Sequence, residues 1–187
     1  MRVIGGTARG RRLRAPKSAV ARPTADRVRE AIFDVLAHLG AIEGASVADV
    51  FAGSGALGIE ALSRGAAAVT FVETDRAAVA AINWNLEMTG LSSAATRIVR
   101  ADALAWCATV AETFDVAFVD PPYAFERWHE LLARLPARTA VLESSHGIEL
   151  AGGFVLHRVY RHGGTLVTVA VTSPPVSSAA GTSEPRR

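Results

Sequence analysis

The stretch Asp49–Gly58, DVFAGSGALG, decides the fold. Its three glycines match the pattern G-x-G-x-x-G, and they stand between an apolar run, Val47–Phe51, and a helical pattern that stops at Gly65. Glycine allows the backbone to turn sharply and to approach a bound ligand closely. A strand that passes through such a turn into a helix is typical of the first unit of a doubly wound α/β sheet.

Strands and helices continue to alternate after this unit. Further apolar segments predict strands at 69–72, 98–99, 116–119 and 140–142. The segments between them predict helices at 75–88, 103–110 and 126–135. Phe154–Tyr160 and Thr165–Val171 flank a turn at Gly163-Gly164 and predict a closing antiparallel hairpin. The predicted fold class is therefore α/β, Rossmann-like, with a mostly parallel doubly wound sheet.

The first thirty residues differ in charge from the rest of the chain. Residues 1–30 carry nine basic and two acidic side chains, whereas the whole chain has a net charge of +2. Residues 2–16 predict a small hairpin that turns at Gly5-Gly6, and Thr24 predicts the N-cap of a helix that Gly40 closes. A basic arm on a mildly acidic body indicates a polyanionic partner, although a solubilising terminus has the same composition.

These patterns divide the chain into three parts. We expect a basic N-terminal arm at 1–20, an α/β domain at 21–172 and a disordered tail, rich in Ser, Pro and Ala, at 173–187. No apolar run is long enough to predict a membrane span, and no apolar core follows the basic start as in a secretory signal. With Cys107 as its single cysteine, the chain is typical of the cytoplasm. The histidine spacing predicts no metal site.

Acidic residues at the predicted strand ends indicate which cofactor the glycine loop holds. Glu73 follows Gly53 by twenty residues and could accept hydrogen bonds from both hydroxyls of an adenosine ribose. Asp102, after the third strand, could accept one from an adenine amino group. The glycine pattern alone fits NAD and FAD as well, but a carboxylate at Asp49 would repel a pyrophosphate. It would suit the cationic amino group of S-adenosylmethionine.

The loop Asp120-Pro-Pro-Tyr123 follows the fourth predicted strand. Its two prolines make it stiff and rich in acceptors, so the Asp120 carboxylate and a proline carbonyl could both accept from one exocyclic NH₂ group of a base. Such bonds would free the nitrogen lone pair to attack a methyl sulfonium, and Tyr123 could stack on the flipped-out base. Methylation at cytosine C5 needs a nucleophilic cysteine where this chain has Pro122, so that chemistry is rejected.

Together these motifs resemble the class I amino-methyltransferases, whose catalytic motif is (D/N/S)-P-P-(Y/F/W). Three opening segments narrow the resemblance: Arg2–Gly6, Gly10–Pro16 and Arg22–Phe33 look like the start of the RsmD-type 16S rRNA guanine-N2 methyltransferases. The similarity extends over nearly the whole chain, to about Val171. The tail that follows is not a feature the family needs.

The resemblance implies a role for each motif. The residues that would hold S-adenosyl-L-methionine, which leaves as S-adenosyl-L-homocysteine, are Asp49, Phe51, Gly53, Gly55, Glu73, Asp102 and Ala103. Those that would hold the target guanine are Asp120, Pro121, Pro122 and Tyr123. The arginines that would contact 16S rRNA in a small-subunit assembly intermediate are Arg2, Arg9, Arg11, Arg12 and Arg14. The product would be an N2-methylguanine at one position of 16S rRNA, made by a monomer without a metal ion.

Two other functions fit parts of the sequence. A DNA adenine-N6 or cytosine-N4 methyltransferase would use the same catalytic loop, but the chain has no room for a DNA target-recognition domain. A non-catalytic RNA-binding assembly factor could share the fold, but here both the cofactor loop and the catalytic loop are intact.

Overall fold

A computed structural model describes residues 1–16, 25–93 and 95–172 of the chain. Within these residues the strands are β1 (Ser46–Val50), β2 (Ala68–Val72), β3 (Thr96–Val99), β4 (Phe114–Val119), β5 (Ala137–Ser144), β6 (Phe154–His162) and β7 (Thr165–Thr172). The helices are α1 (Ala25–His38), α2 (Ala56–Ser63), α3 (Arg76–Thr89), α4 (Ala103–Thr109) and α5 (Trp128–Arg134). None of these helices is long and apolar enough to cross a membrane.

The strands form one sheet in the order β3-β2-β1-β4-β5-β7-β6. Strands β1 to β5 pair in parallel, and β7 lies antiparallel between β5 and β6. The predicted fold class is confirmed. The central strand β4 is almost wholly apolar and buried, because helices cover both faces of a parallel sheet.

Local boundaries differ slightly from the predicted ones. Helix α5 begins at Trp128 rather than at 126, because a turn in which the Phe125 amide donates to the Pro122 carbonyl comes first. Strand β5 is longer than predicted because β4 and β7 both pair with it. The predicted N-cap Thr24 and the predicted tail 173–187 lie outside the described residues.

The basic arm is attached closely to the α/β body. An isolated bridge joins Arg2 to Arg12, as the predicted hairpin requires. Three apolar residues of the arm, Val3, Ala8 and Leu13, are buried in the same core as α1 and the sheet. The arm therefore shares its hydrophobic core with the body and presents its alternate, charged residues to solvent.

Candidate functional site

The glycine loop connects β1 to α2 at the carboxyl edge of the sheet. Gly53 and Gly55 have φ angles of 54° and 75°, in the left-handed region that favours glycine. A Cβ at Gly58 would lie 2.3 Å from the Phe71 ring, so this third glycine allows α2 to pack closely on β2. A Cβ at Gly53 would meet nothing closer than a carbonyl oxygen at 4.0 Å, so open space lies beside the loop.

Phe51 connects the glycine loop to the catalytic loop, Asp120–Tyr123. Its φ of 62° is the only positive value at a non-glycine among the described residues. Its ring meets the Phe125 ring edge-on, with centroids 5.2 Å apart. A strained backbone angle at a bulky residue persists only when its surroundings hold it, and such residues cluster at functional sites.

Glu73 holds the glycine loop in place. At the end of β2, its carboxylate accepts hydrogen bonds from the amides of Gly53 at 2.8 Å, Thr74 at 2.7 Å and Asp75 at 2.9 Å. The Thr74 hydroxyl also donates to Oε1, at 3.3 Å, whereas Oε2 accepts from the Gly53 amide and has a second acceptor site for a ligand hydroxyl. The predicted contact with a ribose stays a prediction.

Asp49 is buried beneath the same loop. Only 2% of the residue is exposed, and its carboxylate accepts from the Gly58 amide at 2.8 Å. Burial raises the pKa of Asp49 to about 7, and the nearby carboxylates of Asp120 and Glu73 add to this rise, whereas the Gly58 bond opposes it. A carboxylate in this state would gain from a cationic partner. That the partner is a methionine amino group stays a prediction.

Asp102 and Ala103 lie at the start of α4, past the end of β3. The Asp102 carboxylate caps the helix by accepting from the Ala105 amide at 3.0 Å, and its side chain is exposed. Ala103 is buried against the core. The position at the carboxyl edge of the sheet is as predicted, but no contact in the structure tests a role in adenine binding.

The catalytic loop lines a cleft beside the glycine loop. Pro121 is buried, whereas Tyr123 is 57% exposed. The cleft brings residues from two further parts of the chain, 143–146 and 165, to the loop. Its lining comprises Asp120, Pro121, Pro122, Tyr123, Phe125, Trp128, Glu143, Ser144, Ser145, His146 and Thr165. The contribution of β5 to this cleft was not predicted from the sequence.

A family model and several known proteins are similar to this chain. The family model described as Conserved hypothetical protein 95 matches residues 1–149, which contain the arm, the glycine loop and the catalytic loop. A relative from Escherichia coli, Ribosomal RNA small subunit methyltransferase D, is 46% identical over 123 residues. The chain belongs to the RsmD-type methyltransferase family.

The sequence matches cover only part of each relative, whereas the structural match covers nearly all of the solved chain. The match to the E. coli enzyme covers 66% of this chain and 60% of the relative. The Haemophilus influenzae enzyme of the same name is 37% identical over 137 residues, which cover 72% of this chain and 70% of the relative. A solved E. coli structure, named provisionally as the methyltransferase yhhF, has 35% identity and a TM-score of 0.81, covering 93% of this chain and 99% of that one.

Glu60 anchors the arm of this RsmD-type chain, a role that sequence reasoning missed. Its fully buried carboxylate accepts from the amides of Ile4 at 2.8 Å and Gly5 at 2.7 Å. It also pairs with Arg64 at 2.8 Å and with Arg29 at 3.7 Å. Arg29, counted in the basic segment, is thus a buried structural residue rather than a cation available to RNA.

Asn85 joins the arm to the glycine loop. This fully buried amide on α3 accepts from the Arg14 backbone amide at 2.7 Å and donates to the Arg14 carbonyl at 3.0 Å and to the Ser54 carbonyl at 2.8 Å. The signal in the sequence was a polar residue on an apolar helix face, three positions after Ile82.

The arginines of the arm that were predicted to bind RNA are exposed. Each of them lies next to a buried residue or to a glycine in a turn. They are Arg2, Arg9, Arg11, Arg12 and Arg14. The Arg14 guanidinium lies over the Trp84 ring, 4.2 Å from its centroid. No contact with RNA is tested by the structure, so this role stays a prediction.

Other reactive groups lie outside the site. Cys107 is buried, and burial, with a smaller contribution from Asp102, raises the pKa of its thiol to about 12, so it is a poor nucleophile. Within the described ranges, no group of three or more His, Cys, Asp or Glu side chains is placed to hold a metal ion.

Proposed function

We propose that this protein transfers a methyl group from S-adenosyl-L-methionine to N2 of a guanine in 16S rRNA during small-subunit maturation. One observation carries the proposal. The glycine loop after β1 and the Asp120–Tyr123 loop after β4 leave neighbouring strands at the same edge of the sheet, and Phe51 and Phe125 pack together between them. A methyl donor on one loop would thus lie beside a base on the other.

The residues present fit the cofactor. The open space beside Gly53 admits a ligand close to the backbone, and the buried Asp49 carboxylate would gain from a cation. Bound S-adenosylmethionine supplies an electrophilic methyl group on a sulfonium. Glu73 would hold the ribose hydroxyls while it keeps the loop in shape through the Gly53 amide.

The catalytic loop would prepare the nucleophile. Asp120 and a proline carbonyl accept from the hydrogens of the guanine N2, which orients its lone pair towards the methyl group. Bound S-adenosylmethionine would supply the methyl group to this nitrogen, with the carbon–sulfur bond broken and S-adenosylhomocysteine as the leaving group. The methylated amine then releases a proton, so Asp120 need not be a strong base. The exposed ring of Tyr123 would stack on the base.

The rRNA substrate rests on the arm and on the relatives. Five arginines of the arm are exposed and can neutralise phosphates. The E. coli and H. influenzae relatives are named for methylation of small-subunit rRNA. One chain carries every residue invoked, so a monomer would suffice, and the substrate implies work in the cytoplasm. Modification of a single guanine of 16S rRNA is part of the proposal.

Labelled S-adenosylmethionine tests the function directly. The full chain is incubated with small ribosomal subunits from cells lacking this modification, with naked 16S rRNA and with DNA, and the modified base is mapped. We expect label at N2 of one guanine in a ribosomal substrate. Label in DNA would instead support an adenine-N6 or cytosine-N4 enzyme. Tight RNA binding without transfer, despite bound cofactor, would support a non-catalytic assembly factor.

A further inference from the structure

Glu143 lies next to Asp120 across the sheet. Strands β4 and β5 pair in parallel with Val119 opposite Leu142, so the next residue of each strand reaches the same edge side by side. Neighbouring strands are about 4.8 Å apart. Asp120 and Glu143 both line the cleft, and the backbone of Glu143 is held on its other side by pairing with Val167 of β7. The second carboxylate is therefore carried by a rigid strand.

The bases with exocyclic amines differ in the ring atom beside that amine. In guanine, N2 is next to N1–H, a hydrogen-bond donor. In adenine, N6 is next to an unprotonated N1, and in cytosine, N4 is next to an unprotonated N3, both of which are acceptors. A ring donor beside the reactive amine is thus a property of guanine, and it is read on the Watson–Crick edge of a flipped-out base.

We propose that Glu143 selects guanine by accepting a hydrogen bond from its ring N1–H while Asp120 accepts from N2. This inference rests on the proposed function. An ionised carboxylate can only accept. Against adenine or cytosine it would face a ring acceptor, so that both groups would lose their solvation without forming a bond. The same side chain thus favours guanine and disfavours the two bases used by the alternative DNA enzymes.

The rest of the cleft fits the third group on the same edge of guanine. Trp128 is 6% exposed and lines the cleft, and its Nε1–H has no hydrogen-bond partner among the residues that the structure describes. Guanine carries the acceptor O6 next to N1. The residues of the cleft thus include two carboxylates and one indole N–H that is unpaired among the described residues, the groups that match an edge reading donor, donor, acceptor.

A base analogue tests the role in the unmodified protein. We compare 16S rRNA with the target guanine intact and with 2-aminopurine at that position. The analogue keeps the N2 amine but lacks both N1–H and O6, so a Glu143 variant is needed to assign the loss to Glu143. We expect kcat/KM to fall by about tenfold to a hundredfold for the analogue, the cost of an unmade hydrogen bond. Equal rates on the two RNAs would overturn the role of Glu143. Absence of N2 methylation of the intact RNA would overturn the proposed function itself.

The substitution Glu143→Gln completes the test, because its amide can donate to the unprotonated N1 of 2-aminopurine. We expect a lower kcat/KM on guanine and a 2-aminopurine to guanine ratio at least about tenfold above the parent's. The matched control is Glu149→Gln, an exposed glutamate outside the cleft, which should keep the parent's ratio. An unchanged ratio in a folded E143Q protein would overturn the proposal. If E143Q does not fold, the same ratio measured for Glu143→Ala decides: loss of the acceptor should raise the 2-aminopurine to guanine ratio above the parent's, and an unchanged ratio would overturn the proposal.

Discussion

The glycine loop and the basic arm are both held by polar side chains of the body that bind their backbone. The two regions differ in where their charged side chains lie. At the loop, Asp49 and Glu73 accept from the Gly58 and Gly53 amides and are also the candidate ligand contacts. At the arm, the anchor Glu60 is buried while the arginines point to solvent. Under the proposed function, the shape of the loop and its binding of the cofactor depend on the same residues, whereas at the arm the anchor and the RNA contacts are different residues.

The largest effect should come from the arm. Replacing Arg9, Arg11, Arg12 and Arg14 with Glu should abolish RNA methylation but leave folding and cofactor affinity largely intact, because these side chains are exposed. In the parent, log K for RNA should fall by roughly 0.7–0.9 per log unit of salt for each phosphate contacted. Charge reversal at Arg158 and Arg161, exposed on β6, is the control. Unchanged RNA affinity in the arm variant would contradict its role.

Substitution of Glu60, the buried anchor of the arm, should instead reduce the stability of the fold. Glu60→Ala removes the acceptor of two backbone amides of the arm and the carboxylate partner of Arg64, and it removes one of the two carboxylates paired with Arg29. We expect the free energy of unfolding to fall by about 3–5 kcal/mol, as for other broken buried ion pairs. Urea denaturation measures it, with Glu87→Ala on the exposed side of α3 as the control. A loss no larger than the control's would show that the arm is held by its apolar residues alone.

At the catalytic loop, Asp120→Ala should slow methyl transfer while RNA and S-adenosylmethionine still bind. The expected loss is on the order of a hundred- to a thousandfold in single-turnover rate, because the interaction strengthens in the transition state. Tyr123→Ala should instead weaken base capture by about 1–3 kcal/mol. A near-parental rate for Asp120→Ala at saturating cofactor would make the loop structural.

Substitutions of Glu73 test whether the same residue both holds the glycine loop and binds the cofactor. Glu73→Ala should weaken cofactor affinity by roughly 1.5–3 kcal/mol, because a charge-assisted bond is lost. The Gly53, Thr74 and Asp75 amides lose their acceptor as well. Glu73→Gln keeps one acceptor oxygen and should restore part of the affinity. Calorimetry that finds parental affinity in both variants would remove Glu73 from the ribose contact.

Asp49 offers the smallest and most selective test, through pH. Its pKa is raised from 3.8 to about 7, so the folded protein binds this proton more tightly than the unfolded chain does. The free energy of unfolding should therefore decline as pH rises from 4 to 7. Asp49→Asn removes this dependence, and above pH 7 it should be more stable than the parent by about 1–3 kcal/mol. Equal stability of the two proteins across this range would place the titration elsewhere.

Much of the site was predictable because its signals are local. Glycines at 53, 55 and 58, and a carboxylate at the end of a predicted strand, require only a strand–loop–helix reading and the rule that ligands bind at the carboxyl edge of parallel strands. That reading placed Asp49, Glu73 and Asp120 at one edge, where the structure has them. It also predicted the closing β6–β7 hairpin.

Tertiary structure alone decided which distant residues meet. Strand β7 rather than β6 pairs with β5, and this pairing holds Glu143 beside the catalytic loop. Glu60 lies 56 residues from the Ile4 amide it accepts from, and Asn85 lies 71 residues from Arg14. Helical and strand periodicity indicates which face of an element is buried, but not its distant partner, because many distant segments could satisfy a buried polar group equally well. The sequence by itself therefore determined the elements and the cofactor edge, whereas packing of the arm and of β5 determined the anchors and the second carboxylate of the cleft.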